Sequence, residues 1–315
     1  MRITITADLH YDIARSRPGA EQLARRACAL GGDALVLVGD TAGADLSVLR
    51  DCLRLFAGFP GRKLLVPGNH CLWCAGEETS LDRYERLIPE AAAQEGFSVL
   101  DHEPATLDGV GLAGSVGWYD YSMRDESLGI PEAFYERKLS PGAAEHLGGH
   151  EDLLEAHRDE LTERHLSLGA RWMDGARVRL GMSDAAFSER LADRLRGQLE
   201  RLAPRVERIV AFMHHLPFRE LVPKDRPDRF AFAAAYMGSP RLGRVLLDCP
   251  KVTDVFCGHS HWAGRWRIGR LNVVNVGSTY RHKKLEVLEL PGGEHGAWER
   301  MADAREKLTC KEAAR

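Results

Sequence analysis

Residues 2–7, RITITA, alternate apolar and polar side chains with the two-residue period of a β-strand, and the run ends at Asp8-Leu9-His10. Helical spacing of apolar residues follows from Ala20 to Leu30. The pattern then repeats. ALVLV at 34–38 predicts a buried parallel strand ending in Gly39-Asp40, Leu49 to Phe56 predicts a helix, and KLLVP at 63–67 predicts a strand ending in Gly68-Asn69-His70. Such an alternation implies a right-handed β-α-β layer. Further on, ERIVAFM at 207–213 leads into His214-His215 and TDVFC at 253–257 into Gly258-His259-Ser260-His261. LNVVNVGS at 271–278 and KLEVLEL at 284–290 supply further strands.

Between the two halves, from about Pro131 to Pro204, Glu, Arg, His and Leu dominate, with helical spacing such as Leu153, Leu154, His157 and Leu161. This segment is expected to be a helical insertion: a lid over the site, a contact in a homo-oligomer, or an elaboration of the surface. The main domain is expected over residues 1–292. Periodicity fades after it, so 293–315 reads as a tail, solvated or frayed.

With 44% apolar residues the chain can bury an ample core. Lys and Arg number 43 against 46 Asp and Glu, a formal charge of −3, so no global positive field exists to hold a polyanion. That argues against nucleic acid as a partner. The first residues lack the charged and apolar regions of a leader, and no apolar run reaches the length of a membrane span. Seven cysteines (28, 52, 71, 74, 249, 257 and 310) show no framework spacing and mostly sit in apolar runs, which fits a reducing cytoplasm. Cys71 and Cys74 form a C-x-x-C with no second pair, read here as coincidental.

Five of the strands thus end in residues able to bind metal, and in open parallel sheets ligand sites gather outside the carboxyl ends of strands. Each block is common alone: Asp-x-His, Gly-Asp, Gly-Asn-His, a strand-ending His, Gly-His-x-His. Five in order, each just after a strand, are specific. In these blocks the sequence resembles the calcineurin-like metallophosphoesterase superfamily, from Asp8 to His261. The resemblance implies an α/β fold, a four-layer α-β-β-α sandwich, with two metal ions between its loops. It implies that Asp8, His10 and His261 bind one ion, that Asn69, His214 and His259 bind the other, and that Asp40 bridges both. His214 rather than His215 is the ligand by the family pattern.

Carboxylate and amide oxygens mixed with imidazoles suit manganese, iron or zinc. A bridging hydroxide would attack phosphorus in line, and His70 is expected to assist at the leaving group or a phosphate oxygen. Asp40 and His70 are accordingly the expected catalytic residues. Two departures from the pattern stand out: Cys71 follows Gly-Asn-His where an acidic residue is frequent, and Thr41-Ala42-Gly43 lacks the acidic or amide residue many relatives carry.

The expected reaction is hydrolysis of a small phosphomonoester or phosphodiester. A nuclease or protein phosphatase on the same centre, or a non-catalytic scaffold of the same fold, are the alternatives. His215, Arg281, Trp73 and Tyr119 are the expected substrate contacts. Trp118, Tyr119 and Tyr121 either stack on a flat substrate group or close the core.

Overall fold

In a computed structural model, which describes residues 1–224 and 227–290, the chain forms two sheets. The first contains β1 (Arg2–Thr6), β2 (Ala34–Val38), β3 (Arg62–Val66), β4 (Phe97–Val99) and β11 (Glu286–Glu289), in the order β11-β1-β2-β3-β4. The second contains β5 (Ala105–Leu107), β6 (Val110–Ser115), β7 (Arg208–Met213), β8 (Val252–Cys257), β9 (Gly264–Ile268) and β10 (Leu271–Asn275), in the order β5-β6-β7-β8-β10-β9. Strands β1 to β4 run parallel to one another, as do β6, β7, β8 and β10, with β11, β5 and β9 antiparallel at the edges.

Alternation along the strands sorts side chains into three apolar layers. Ile3, Ile5, Val36, Val38, Leu64 and Val66 meet Leu112, Val210, Phe212, Phe256 and Val274 between the sheets. On the other face of the first sheet, Leu35, Leu37 and Leu65 pack under the helices Arg17–Leu30, Leu46–Arg54 and Ile88–Gln94. On the outer face of the second, Ile209, Ala211, Met213 and Val255 pack under Asp184–Leu202 and Pro240–Asp248. Helix, sheet, sheet, helix is the four-layer arrangement the resemblance implied. Among the described residues no helix is long and apolar enough to cross a membrane.

The segment 131–204 divides in two. Its first part is a series of short helices, from Glu132–Arg137 to Asp174–Arg177, and its last is the long helix Asp184–Leu202. The long helix is an outer layer of the sandwich itself. Trp118, Tyr119 and Tyr121 are buried, and the first and last of them bond to Asp184, so they close the core between helix and sheet. Cys71 and Cys74 are buried free thiols. The tail at 293–315, with Cys310, lies outside the described residues.

Gln198 finishes an open edge. Beyond the short pairing of β5 with β6, the Gly114 backbone has no strand beside it on that side, and the buried Gln198 amide takes the strand's place. Its Oε1 accepts from the Gly114 N–H at 3.1 Å, while its Nε2 donates to the carbonyls of Gly114 and Asp101, both at 2.9 Å. Gln198→Leu keeps the volume and leaves three buried backbone groups unpaired, each costing about 1–3 kcal/mol. We expect urea denaturation to show a loss of at least about 3 kcal/mol, with metal content per folded molecule unchanged.

Candidate metal centre

Five loops at the carboxyl ends of β1, β2, β3, β7 and β8 meet at one edge of the sandwich. Backbone hydrogen bonds lash them together: Asp8 N–H to Gly39 O at 3.0 Å, His10 N–H to Asp40 O at 2.8 Å, Gly39 N–H to Val66 O at 2.9 Å and Gly258 N–H to His214 O at 3.2 Å. The turns are tight enough to need left-handed backbone at Asp8, His10, Asp40, His259 and His261, with φ from 44° to 69°. Each such residue costs about 1–2 kcal/mol against ordinary backbone. Two glycines are set by close approach: a Cβ on Gly39 would collide with the His214 ring, and one on Gly68 with the Asp40 carboxylate.

All seven expected ligands come together. His10 Nε2 lies 3.2 Å from His261 Nε2 and 3.6 Å from Asp40 Oδ2, and Asp8 Oδ1 lies 3.9 Å from His261 Nε2. On the other side, His214 Nε2 lies 3.1 Å from His259 Nδ1, 3.1 Å from Asn69 Oδ1 and 3.5 Å from Asp40 Oδ1. The two oxygens of Asp40 therefore face different groups. Asp8–His10–His261 and Asp8–Asp40–His214 each bring their ligand atoms within 4.8 Å of one another, and so do His10–Asp40–His70 and His214–His215–His259.

These contacts are not a self-sufficient hydrogen-bond network. His259 Nε2 donates to the Tyr236 carbonyl at 3.1 Å, which leaves Nδ1 as a bare lone pair aimed at the cluster. Asn69 Oδ1 is an acceptor too, and Asp8 Oδ2 has no partner although buried. The 3.1–3.2 Å separations of His10 from His261 and of His214 from His259 and Asn69 are those of ligands around one ion, since atoms about 2.0–2.2 Å from a metal stand about 3.0–3.5 Å apart. The residues present fit metal.

Burial dominates the titration of these groups. It pushes the Asp8 carboxyl up to about 7, against the backbone N–H of His259 and the charge of Lys283. Asp40 is raised well above the carboxylate range by burial and then by the Asp8 charge. Burial lowers His70, His215 and His261 to about 4, and His10, His214 and His259 well below the usual imidazole value. The imidazoles are thereby held in the neutral form that binds metal.

His70 and His261 keep 17% and 22% of their side chains exposed while the other ligands are buried, so the centre opens on their side. Trp73 stacks on His70 with ring centroids 3.7 Å apart. Tyr280 packs against His10 and His261, and the Arg15 guanidinium lies over its ring at 4.6 Å. His215 and Tyr119 stand behind the cluster instead: both are buried, with His215 Nδ1 donating to Val116 O at 2.9 Å and the Tyr119 hydroxyl to Asp174 at 3.0 Å. Arg281 is on an exposed turn, and it is Lys283 whose Nζ reaches inward to the Asp8 carbonyl at 2.7 Å. Sequence reasoning did not single out Asp174, Tyr280, Arg15 or Lys283.

The chain is similar in structure to phosphopantetheinyl hydrolase from Mycobacterium tuberculosis (TM-score 0.63, 19% identity, covering 93% of this chain and 98% of that one). It is also similar to a dimetal phosphatase from Danio rerio (TM-score 0.51, 15% identity, 91% of each chain). At such identities the likeness shows the fold alone. No curated protein matches the sequence. The family model of calcineurin-like phosphoesterases matches residues 1–263, a span that contains all five blocks, and the chain belongs to that family.

Proposed function

We propose that this protein hydrolyses a small phosphomonoester or phosphodiester at a binuclear metal centre, with Asp8, His10 and His261 holding one ion, Asn69, His214 and His259 the other, and Asp40 both. The observation that carries the reading is the convergence of ligand-capable groups from five loops, their nitrogen and oxygen atoms 3.1–3.9 Å apart, with Asp8 Oδ2 buried and unpartnered among them. Two ions of manganese, iron or zinc would supply Lewis acidity for the phosphoryl oxygens and a source of hydroxide near neutral pH.

The chain's own residues do the rest. Asp40 presents one oxygen to each half and accepts the His70 backbone N–H at 3.0 Å, which ties the third block to the second. His70 stands at the open side with Trp73 against its face, placed to protonate a leaving oxygen or to hold a phosphate oxygen. Lys283, lowered to about 8 by burial with the Asp8 charge opposing, adds positive charge beside the first group. Trp73, Tyr280 and Arg15 border the opening, where a substrate's organic part would lie. The dimetal phosphatase and the phosphopantetheinyl hydrolase act, by their names, on phosphorylated compounds, which agrees with this reading.

The test is turnover of p-nitrophenyl phosphate and bis-p-nitrophenyl phosphate by protein stripped of metal and reloaded with manganese, iron or zinc, with bound metal measured alongside. Asp40→Ala is expected to lose at least about 100-fold in kcat/KM and to bind less metal. Unchanged turnover in Asp40→Ala would sink the assignment.

A second expectation concerns pH. Six imidazoles are held below their ordinary value of 6.5, so on unfolding in acid they take up protons that the folded state refuses. That component of stability is present above about 6.5 and is lost as pH falls toward 4. Asp8 and Asp40, raised above 3.8, act in the opposite sense, and two carboxyls oppose six imidazoles. The urea midpoint of metal-free protein should therefore fall between about pH 7 and pH 5, and added metal should restore it at about pH 7. A midpoint that rises on acidification would mean the imidazoles are not held neutral.

A further inference from the structure

The short helix Asp174–Arg177 places a buried carboxylate beside the centre, and every donor around it is uncharged. Asp174 Oδ1 accepts from Asn69 Nδ2 at 2.9 Å and from the Trp73 indole at 2.7 Å. Its Oδ2 accepts from Asn69 Nδ2 at 3.2 Å, from the Trp172 indole at 2.8 Å and from the Tyr119 hydroxyl at 3.0 Å. Packing alone does not explain why the acceptor is a carboxylate.

An asparagine amide has two ends of nearly the same shape and opposite hydrogen-bonding character, so a pocket can seat it either way round. A carboxylate only accepts. Facing Asn69, it admits the NH2 end and rejects the carbonyl, and the carbonyl is thereby turned to His214, 3.1 Å away. The wrong rotamer would point two N–H donors at the cation and bring two acceptors together at Asp174. We propose that Asp174 is the positioning residue that fixes the Asn69 amide with its oxygen toward the metal centre, and so sets affinity for the ion held by Asn69, His214 and His259.

This inference rests on the binuclear reading, and one titration separates the two. Metal-stripped full-length protein is titrated with Mn2+ by calorimetry, with thermal melting as a check on folding. Wild-type protein should take up two ions. Asp174→Asn, which replaces an acceptor oxygen by a donor, should bind one ion about 10–100-fold more weakly and leave the other within about 3-fold. Adding Asn69→Asp to that variant should restore much of the loss, because a carboxylate at 69 offers oxygen to the metal in either orientation and accepts from the new amide at 174. A merely structural Asp174 predicts no such rescue.

Two wild-type affinities in a folded Asp174→Asn protein would overturn this inference and leave the binuclear reading standing. So would a folded double variant no tighter than Asp174→Asn. A wild-type protein that binds no Mn2+ would overturn the reading and the inference together.

Discussion

The Asp40 carboxylate is the constraint around which the centre is arranged. One side chain puts Oδ1 toward His214 and Oδ2 toward His10, and these histidines belong to different sheets from one another. To reach both, Asp40 turns into left-handed backbone immediately after β2, and the chain on either side of it must leave room: Gly39 for the His214 ring, Gly68 for the carboxylate itself. The Gly-Asp and Gly-Asn-His blocks are thus one steric unit, since the glycine of each serves a side chain from another block.

That geometry is unfavourable by itself. Five residues in left-handed backbone cost about 1–2 kcal/mol each, and Asp8 Oδ2, His10 Nδ1 and His214 Nδ1 are buried without a hydrogen-bond partner. The three apolar layers and the backbone bonds between loops hold the arrangement in place. A rigid edge of this kind has two uses. It keeps the imidazoles neutral and bare on the side facing the centre, as at His259, and it makes a cation between the groups relieve both the facing lone pairs and the buried acid of Asp8.

Much of this is legible in the sequence for one reason: parallel strands buried on both faces read as short apolar runs, and the residues just beyond the end of each run are delivered to one edge. Asp8, His10, Asp40, Asn69, His70, His214, His259 and His261 can all be located that way. The pattern does not single out β4 or β9. Phe97–Val99 is too short for a period to show, and Gly264–Ile268 is an edge strand whose Arg and Trp side chains leave it half in water. Residues whose role depends on contacts across the fold are equally hidden. Asp174 stands 105 positions from Asn69 in a segment of short helices, and no local pattern marks it. Tyr119 stands out in the sequence, but the aromatic run around it gives no sign of which face is buried.

One departure from the family pattern gains a physical sense from the same distances. Where an acidic residue often follows Gly-Asn-His, this chain has Cys71, a buried thiol raised to about 11 by burial and by the Asp40 charge. It is neither an anion nor a ligand there. The carboxylate next to Asn69 and Trp73 comes instead from Asp174, and the face of His70 rests on the Trp73 ring that Asp174 anchors. Stacking leaves His70 Nδ1 without a partner, while its Nε2 lies 3.9 Å from Asp40 Oδ2. Burial lowers its imidazole to about 4, with the Asp174 charge opposing. The segment 131–183 in this way reaches the centre, because it carries Asp174, the carboxylate that accepts from Asn69 and Trp73.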